Sequence, residues 1–334
     1  MVQELKIYYE QDADLNLLKG KTIAILGYGS QGRPQALNLR DSGLNVIVGQ
    51  RAGSIHYENA IKDGFEPVSV SEAVKKADWI QMMLPDETQK DIWETDILHN
   101  LKKGTVVSFA HGFNITFKQI VPPKDVDVVM ISPKGVGPKV RSRYLNNYGV
   151  PCLIAMQQDV SGKAKDLALA YAKGIGGTRV GVLETTFKEE TESDLFGEQV
   201  VLCGGVIELI TVAFDTLVQN GCKPEMAYFE CFYELKLITD LLFERGIAQT
   251  NSAISDTAEY GEYVSGKKII TEDTKKAMKE ILDKIQSGEF AKSWIAEARA
   301  GKPYLLKSRQ AVAQRQIESV GNNLRNMLKK ERNC

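Results

Sequence analysis

This 334-residue chain has few of the groups that mark whole protein classes. Its five cysteines (Cys152, Cys203, Cys222, Cys231 and Cys334) form no CxxC pair and no zinc spacing, which argues against a zinc module or a disulfide scaffold. Three of them sit in apolar helical context and read as buried thiols of a reducing, cytoplasmic compartment. A net charge of −1 leaves no excess of one sign, so neither nucleic acid nor an anionic membrane is an expected partner. The segment Met1–Glu10 lacks the apolar core of a signal peptide. One run, Val200–Val218, approaches membrane-span length, but it carries Glu208 and Asp215 and reads as a core helix. Repeats and low-complexity tracts are absent.

What is present divides into two halves. From Lys21 to about Val182, short apolar runs (Thr22–Leu26, Asn45–Val48, Trp79–Leu84, Thr105–Phe109, Val126–Ile131, Cys152–Met156) alternate with helical patterns (Gln35–Asp41, Ser71–Ala77, Thr88–Asn100, Gly162–Gly174). That alternation predicts parallel strands with crossover helices, with Ser71 as an N-cap and Gly174 closing its helix. After Glu184 only helical stretches follow: Ser193–Asn220, Pro224–Arg245, Thr271–Gln286 and Gln310–Lys330. The reading is an α/β Rossmann-type domain over residues 1–184 and an all-α domain over residues 185–330.

Four carboxylates stand out in the helical half. Asp194 and Glu198 form one i, i+4 pair and Glu230 and Glu234 another, among Leu195, Phe196, Val200, Phe229, Phe232 and Leu235. Such spacing places both acids of a pair on one helix face, Cβ atoms about 5–6 Å apart. Burying them unpaired would cost several kcal/mol each, a penalty that a hard divalent cation removes. The plainer alternative is a solvated acidic face. Glu189 and Glu190, in a Lys-Glu-Glu run, read as solvated.

Gly27-Tyr28-Gly29-Ser30-Gln31-Gly32 follows a strand and opens a helix, the context that gives GxGxxG its meaning as a dinucleotide loop. Pro34 falls in the first helical turn, where a missing N–H matters little. The next strand ends at Gln50-Arg51-Ala-Gly-Ser54, with no acid for the ribose hydroxyls. Arg51 and Ser54 suit a 2′-phosphate, which favours NADPH.

The blocks Gly27–Gly32, Leu37–Gly43, Leu84-Pro-Asp-Glu87, Phe109-Ala-His-Gly112, Glu184–Gly205 and Glu259-Tyr-Gly-Glu-Tyr263 closely resemble the ketol-acid reductoisomerases (acetohydroxy acid isomeroreductases), of the short class I type. The likeness runs from about residue 7 to about residue 328. It implies a knotted helical domain, two Mg²⁺ ions, NADPH, and conversion of 2-acetolactate or 2-aceto-2-hydroxybutyrate to 2,3-dihydroxy acids in valine, leucine and isoleucine synthesis. It also implies a homodimer or higher oligomer with a shared active site. By the resemblance, Asp194 would bridge two metals and Glu198 would bind the first. Glu230 and Glu234 would come from a partner subunit, Ser255 would hold the substrate carboxylate, and His111 would be the catalytic histidine. Tyr28 to Gln31, Arg51, Ser54, Asp86, Glu87, Thr88, Gln89 and Gly137 would line the cofactor site. The chain departs from the family pattern at Arg33-Pro34, at Gly135–Pro138 and at His56, the last leaving NADH usable as well.

Alkyl migration shifts electron density between oxygens on adjacent carbons, which suits a pair of Lewis acids contacting both. A base must also take the hydroxyl proton. His111 follows a strand at the carboxyl edge of the sheet, though a structural histidine fits that place equally. Lys134, at the end of the next strand, is either a partner for a carboxylate or a surface lysine. Two other readings stay open: a metal-free hydroxyacid-type dehydrogenase, and a non-catalytic dinucleotide-binding module that needs only Gly27, Gly29 and Gly32.

Overall fold

The structure is a computed structural model that describes residues 6–331, with side chains described through Met327; Met1–Leu5 and Cys334 lie outside the described residues. It separates into two compact units, Met1–Ser193 and Asp194–Cys334.

The first unit is built on one eight-stranded sheet: β1 (Ile7–Tyr8), β2 (Thr22–Leu26), β3 (Asn45–Gly49), β4 (Trp79–Met82), β5 (Val106–Phe109), β6 (Asp127–Pro133), β7 (Cys152–Gln158) and β8 (Val182–Glu184), in the order β1-β8-β7-β6-β5-β4-β2-β3. From β3 through β6 every pairing is parallel. Helices cover both faces, so β4 and β6 are buried along their whole length and read as apolar runs rather than alternating ones. The helices are α1 (Gly32–Asp41), α2 (Ile55–Lys62), α3 (Val70–Lys76), α4 (Asp86–Ile92), α5 (Phe113–Thr116), α6 (Gly137–Leu145) and α7 (Ala164–Gly174). Trp79 of β4 stacks on Tyr171 of α7 with ring centroids 5.0 Å apart.

Three local expectations are corrected. The strand at Cys152 runs antiparallel to β6, with Pro133 opposite Cys152. The chain leaves β6 and re-enters the sheet beside that same end, so α6 makes no crossover. The cap of α3 is Ser69, two residues before Ser71: Ser69 accepts from Glu72 N while the Glu72 carboxylate accepts from Ser69 N, a complete capping box. The glycine that ends α7 in the left-handed region is Gly176 (φ 89°), while Gly174 is still helical.

The second unit is wholly helical among the described residues. α8 (Phe187–Gly197) leads into it, followed by α9 (Gly204–Gln219), α10 (Pro224–Tyr228), α11 (Glu234–Asn251), α12 (Asp256–Ile269), α13 (Glu272–Gln286), α14 (Glu289–Arg299), α15 (Pro303–Ala313) and α16 (Gln316–Glu331). Two joins are single turns of π-helix, Glu198–Leu202 and Phe229–Tyr233. α11 bends at Gly246, whose φ of 74° and ψ of 169° no α-helix contains. The stretch expected as Gln310–Lys330 is two helices, broken where Arg315 reaches Thr211 Oγ1 at 3.0 Å.

Ile210, Phe214, Ala227, Tyr228, Ile317 and Leu324 make a small buried core. The apolar residues of the π turn before α9 and of α9 itself mostly lie outside it: Val201 and Leu202 of the turn and Ile207, Leu209 and Val212 of the helix are all more than half exposed. Val200–Val218 is therefore a helix with one covered stripe and not the fully buried helix its composition suggests. The helical run Phe187–Gln219 is long and apolar enough to cross a membrane by length and composition, although it carries Glu198, Glu208 and Asp215. Cys203 is exposed and Cys222 and Cys231 are half-buried; Cys152, on a strand, is the one buried thiol among the described residues.

Candidate functional site

The carboxyl ends of the parallel strands gather the candidate residues of the first unit. β2 ends in the glycine loop, β3 in Gln50 and Arg51, β4 in Leu84–Gln89, β5 in His111 and β6 in Lys134. β2 is flanked by β3 on one side and β4 on the other, and at such a reversal of strand order α/β sheets bind ligands.

The loop glycines are required by space. Gly27 has a φ of 98°, and a Cβ on Gly32 would stand 2.0 Å from the Gly27 carbonyl oxygen. Gly29 faces nothing within 4 Å, so its backbone is open to a ligand at the start of α1. Gly137 packs the first turn of α6 onto Ser30, and Gln31 Nε2 donates to the Gly135 carbonyl at 2.9 Å.

Arg51 is exposed. Ser54 is more committed: its hydroxyl donates to the Arg51 carbonyl at 2.9 Å, accepts from Tyr57 N as the cap of α2, and accepts from Gln50 Nε2 at 3.1 Å. Gln89 is buried. Its amide donates to the Leu84 carbonyl and its oxygen accepts from Asn114, so it braces the Asp86–Thr88 turn from beneath.

The centre of the site is a residue that sequence reasoning set aside. Glu190, expected in solvent, is 1% exposed. Its Oε1 accepts from Ser132 Oγ at 2.8 Å and from Lys134 Nζ at 2.9 Å. Its Oε2 accepts from Gly112 N and lies 3.1 Å from His111 Nδ1. Burial pushes this carboxyl up, but the hydrogen bond from His111 and the charges of His111 and Lys134 outweigh it and hold the group down to about 2. Glu190 is therefore ionised and can only accept, so His111 Nδ1 carries the proton of their hydrogen bond. Lys134 is thereby a carboxylate partner rather than a surface lysine. A signal for Glu190 was present: Phe187, Thr191 and Leu195 are buried on the same stripe of α8, and phasing the helix from them places Glu190 inside.

Because α8 is continuous through Gly197, Asp194 stands one turn beyond Glu190. One ligand atom each from His111, Glu190 and Asp194 lies within 4.8 Å of the others, and no other group of three or more such residues gathers among the described residues. Asp194 is half-buried. Glu198 opens the first π turn, Glu230 lies inside the second, and Glu234 begins α11; all three are exposed in the single chain. Ser255 is exposed and caps α12 through a bond from Ala258 N. A single chain thus leaves Glu230 and Glu234 outside the cluster at Asp194.

Comparison with known proteins bears on the whole chain. Residues 17–181 match the family model of the acetohydroxy acid isomeroreductase NADPH-binding domain, and residues 187–330 match that of the ketol-acid reductoisomerase C-terminal domain. A solved NADH-preferring ketol-acid reductoisomerase from an uncultured archaeon is 46% identical, with 96% of this chain and 98% of that one covered and a TM-score of 0.93. Two further structures share the fold at low identity. A semialdehyde dehydrogenase NAD-binding protein from Cupriavidus necator is 21% identical (TM-score 0.61, 80% of this chain and 99% of that one). An oxidoreductase from Jannaschia sp. CCS1 is 16% identical (TM-score 0.60, 80% and 97%).

Glu190→Gln should destabilise the protein at pH 7 by roughly 3 kcal/mol, since Lys134 and His111 would face a neutral amide in a buried place. The folded pKa of Glu190 is depressed, so its contribution is present above the ordinary carboxylate range and is lost as pH falls toward about 2. In urea unfolding, the gap between wild type and variant should narrow over that acid window. A gap of the same size at pH 7 and pH 2.5 would show that the ionised carboxylate stabilises nothing.

Proposed function

We infer that the carboxylates of α8 form the metal and proton-handling centre of a ketol-acid reductoisomerase, since this chain belongs to the ketol-acid reductoisomerase family. The enzyme is an oxidoreductase of branched-chain amino acid biosynthesis that uses a nicotinamide cofactor. It acts on 2-acetolactate or 2-aceto-2-hydroxybutyrate by alkyl migration followed by reduction to the 2,3-dihydroxy acid. The observation that carries the assignment of the centre is the ionised, buried Glu190 with His111 beside it and Asp194 one helical turn on.

Carboxylate oxygens are the donors that Mg²⁺ prefers, so the donor set fits. Asp194 and Glu198 would hold the ions from one chain. What a pair of divalent cations supplies at such a site is polarisation of the two neighbouring substrate oxygens. The protein's own residues do the rest. Glu190 orients the His111 ring through Nδ1, and His111 would take the hydroxyl proton of the substrate. His111 and Lys134 together hold Glu190 ionised. Ser255, at the start of α12, would meet the substrate carboxylate.

For the cofactor, the open backbone at Gly29 and the N-terminus of α1 fit a pyrophosphate. Arg51 is the cation placed for a 2′-phosphate, and neutral Gln50 stands where an acid would repel one, so NADPH is the proposed reductant with NADH also accepted. The 46% identical archaeal enzyme prefers NADH, which supports NADH as a second reductant here.

The exposed apolar residues of the helical unit support a second copy of the chain. Phe243 is 83% exposed and Ile247 71%, and burying each large apolar side chain is worth about 2 kcal/mol. A twin that covers this surface would also bring its Glu230 and Glu234 to the Asp194 centre, completing a shared site in a dimer or higher oligomer, knotted as the resemblance implies. Four free thiols among the described cysteines suit a reducing cytoplasm.

Three results would test this reading. Oxidation of NADPH with 2-acetolactate should stop on chelation and return with Mg²⁺, and Asp194→Asn should lower it at least roughly a hundredfold while the protein stays folded; full turnover in chelator would remove the metal from the mechanism. Arg51→Asp should move the NADPH to NADH efficiency ratio toward NADH by about tenfold or more, as expected for a charge-assisted phosphate contact, whereas an unchanged ratio would release Arg51 from the phosphate. Homodimers of Asp194→Asn and of Glu234→Gln should each be nearly inactive. Co-expressed, they should recover up to about a quarter of wild-type activity, because half the dimers then hold one intact site. Hybrids no better than the parents would place all four carboxylates in one chain.

A further inference from the structure

Tyr28 lies between the first two glycines of the loop, yet its side chain is 1% exposed. Its hydroxyl donates to Asp63 Oδ2 at 2.9 Å. Asp63 closes the C-terminal end of α2, and its carboxylate also receives Arg33 Nε at 2.6 Å and Arg33 Nη2 at 2.9 Å. The Asp63 carbonyl takes Arg40 Nη1 at 2.6 Å, and Arg40 lies over Phe65, which meets the Tyr28 ring edge-on. At the other end of α2, Tyr28 N donates to Gln50 Oε1 at 3.0 Å and Gln50 donates in turn to Ser54, the cap of the helix. Both ends of α2 are thus tied to one residue of the phosphate loop. α2 presents His56 and Asn59 as one wall of a cavity of about 520 Å³, and Tyr28, Ser30, Arg33 and Gly137 are among the residues that complete it. In a dinucleotide fold the adenosine half of the cofactor lies on this side, beyond the end of the strand that follows the glycine-loop helix, here β3.

We propose that Tyr28, Asp63 and Arg33 are positioning residues for the cofactor: they hold α2 against the glycine loop and so set the width of the cavity that takes the adenosine half. The proposal rests on the dinucleotide reading of the loop and is independent of the metal centre. The charges are arranged for it. Arg33 cancels Asp63, which would otherwise repel phosphate from beside the loop. Burial, then the bond to Asp63, raises the Tyr28 phenol above its ordinary range, so it remains a neutral donor.

Tyr28→Phe removes the hydroxyl tie and keeps the ring. It should raise the NADPH KM fivefold or more and raise the Ki of ADP-ribose by the same factor, with kcat and the 2-acetolactate KM within twofold of wild type. Arg33→Met, at a half-exposed position that folding tolerates, should weaken both cofactor constants further by leaving Asp63 uncompensated. Fluorescence titration with NADPH and no substrate should show the same shifts, so the outcome does not depend on turnover. Cofactor constants within twofold of wild type in both folded variants would overturn the proposal. So would a higher NADPH KM with an unchanged ADP-ribose Ki, since the loss would then lie outside the adenosine half.

Discussion

A single carboxylate, Glu190, organises this molecule. A buried negative charge is tolerable only if its lone pairs are filled and its charge is answered, and here two strand ends and a tight turn supply the donors. The turn after β5 brings His111 and Gly112, and β6 brings Ser132 and Lys134. In meeting the requirement of one acid, the sheet edge is locked to α8. Asp194, one turn further along the same helix, inherits the lock, and His111 is oriented by the same carboxylate that anchors the helix.

The larger plan was legible because it rests on periodicity and on loop chemistry. Apolar runs with glycine-rich breaks announce a parallel sheet, and the glycine loop after β2 fixes where the sheet binds phosphate. Failures came where one local pattern outranked another. Lys188-Glu189-Glu190 looks like a surface run when read as consecutive letters, yet on a helix the three residues point in different directions and only Glu190 joins Phe187 and Leu195. Ser69 rather than Ser71 caps α3 because only Ser69 has a glutamate three residues on, Glu72, to close the capping box. The antiparallel β7 could not be read at all, since strand direction depends on where α6 returns the chain and not on the composition of the strand.

The helical unit teaches a different limit. Composition marks α9 as apolar, and composition cannot say whose atoms will cover it. In one chain the covered stripe is narrow, built on Ile210 and Phe214, while Leu209 and Val212 face outward. An all-round apolar helix is the expected signature of burial, and within one chain only the stripe at Ile210 and Phe214 receives it.

The two π turns decide which residues share a face on either side of them. A π turn holds one more residue than an α turn, so the residues beyond it are out of step by about 100° with those before it. The stripe that α8 turns toward the sheet need not be the stripe that α9 turns toward its own core, and the same holds for α10 and α11 across Phe229–Tyr233. One continuous helical rod can therefore serve two differently placed neighbours without a break. The extra residue is what holds that phase: were either turn to wind as regular α-helix with the same residues, every downstream face would swing by about 100°.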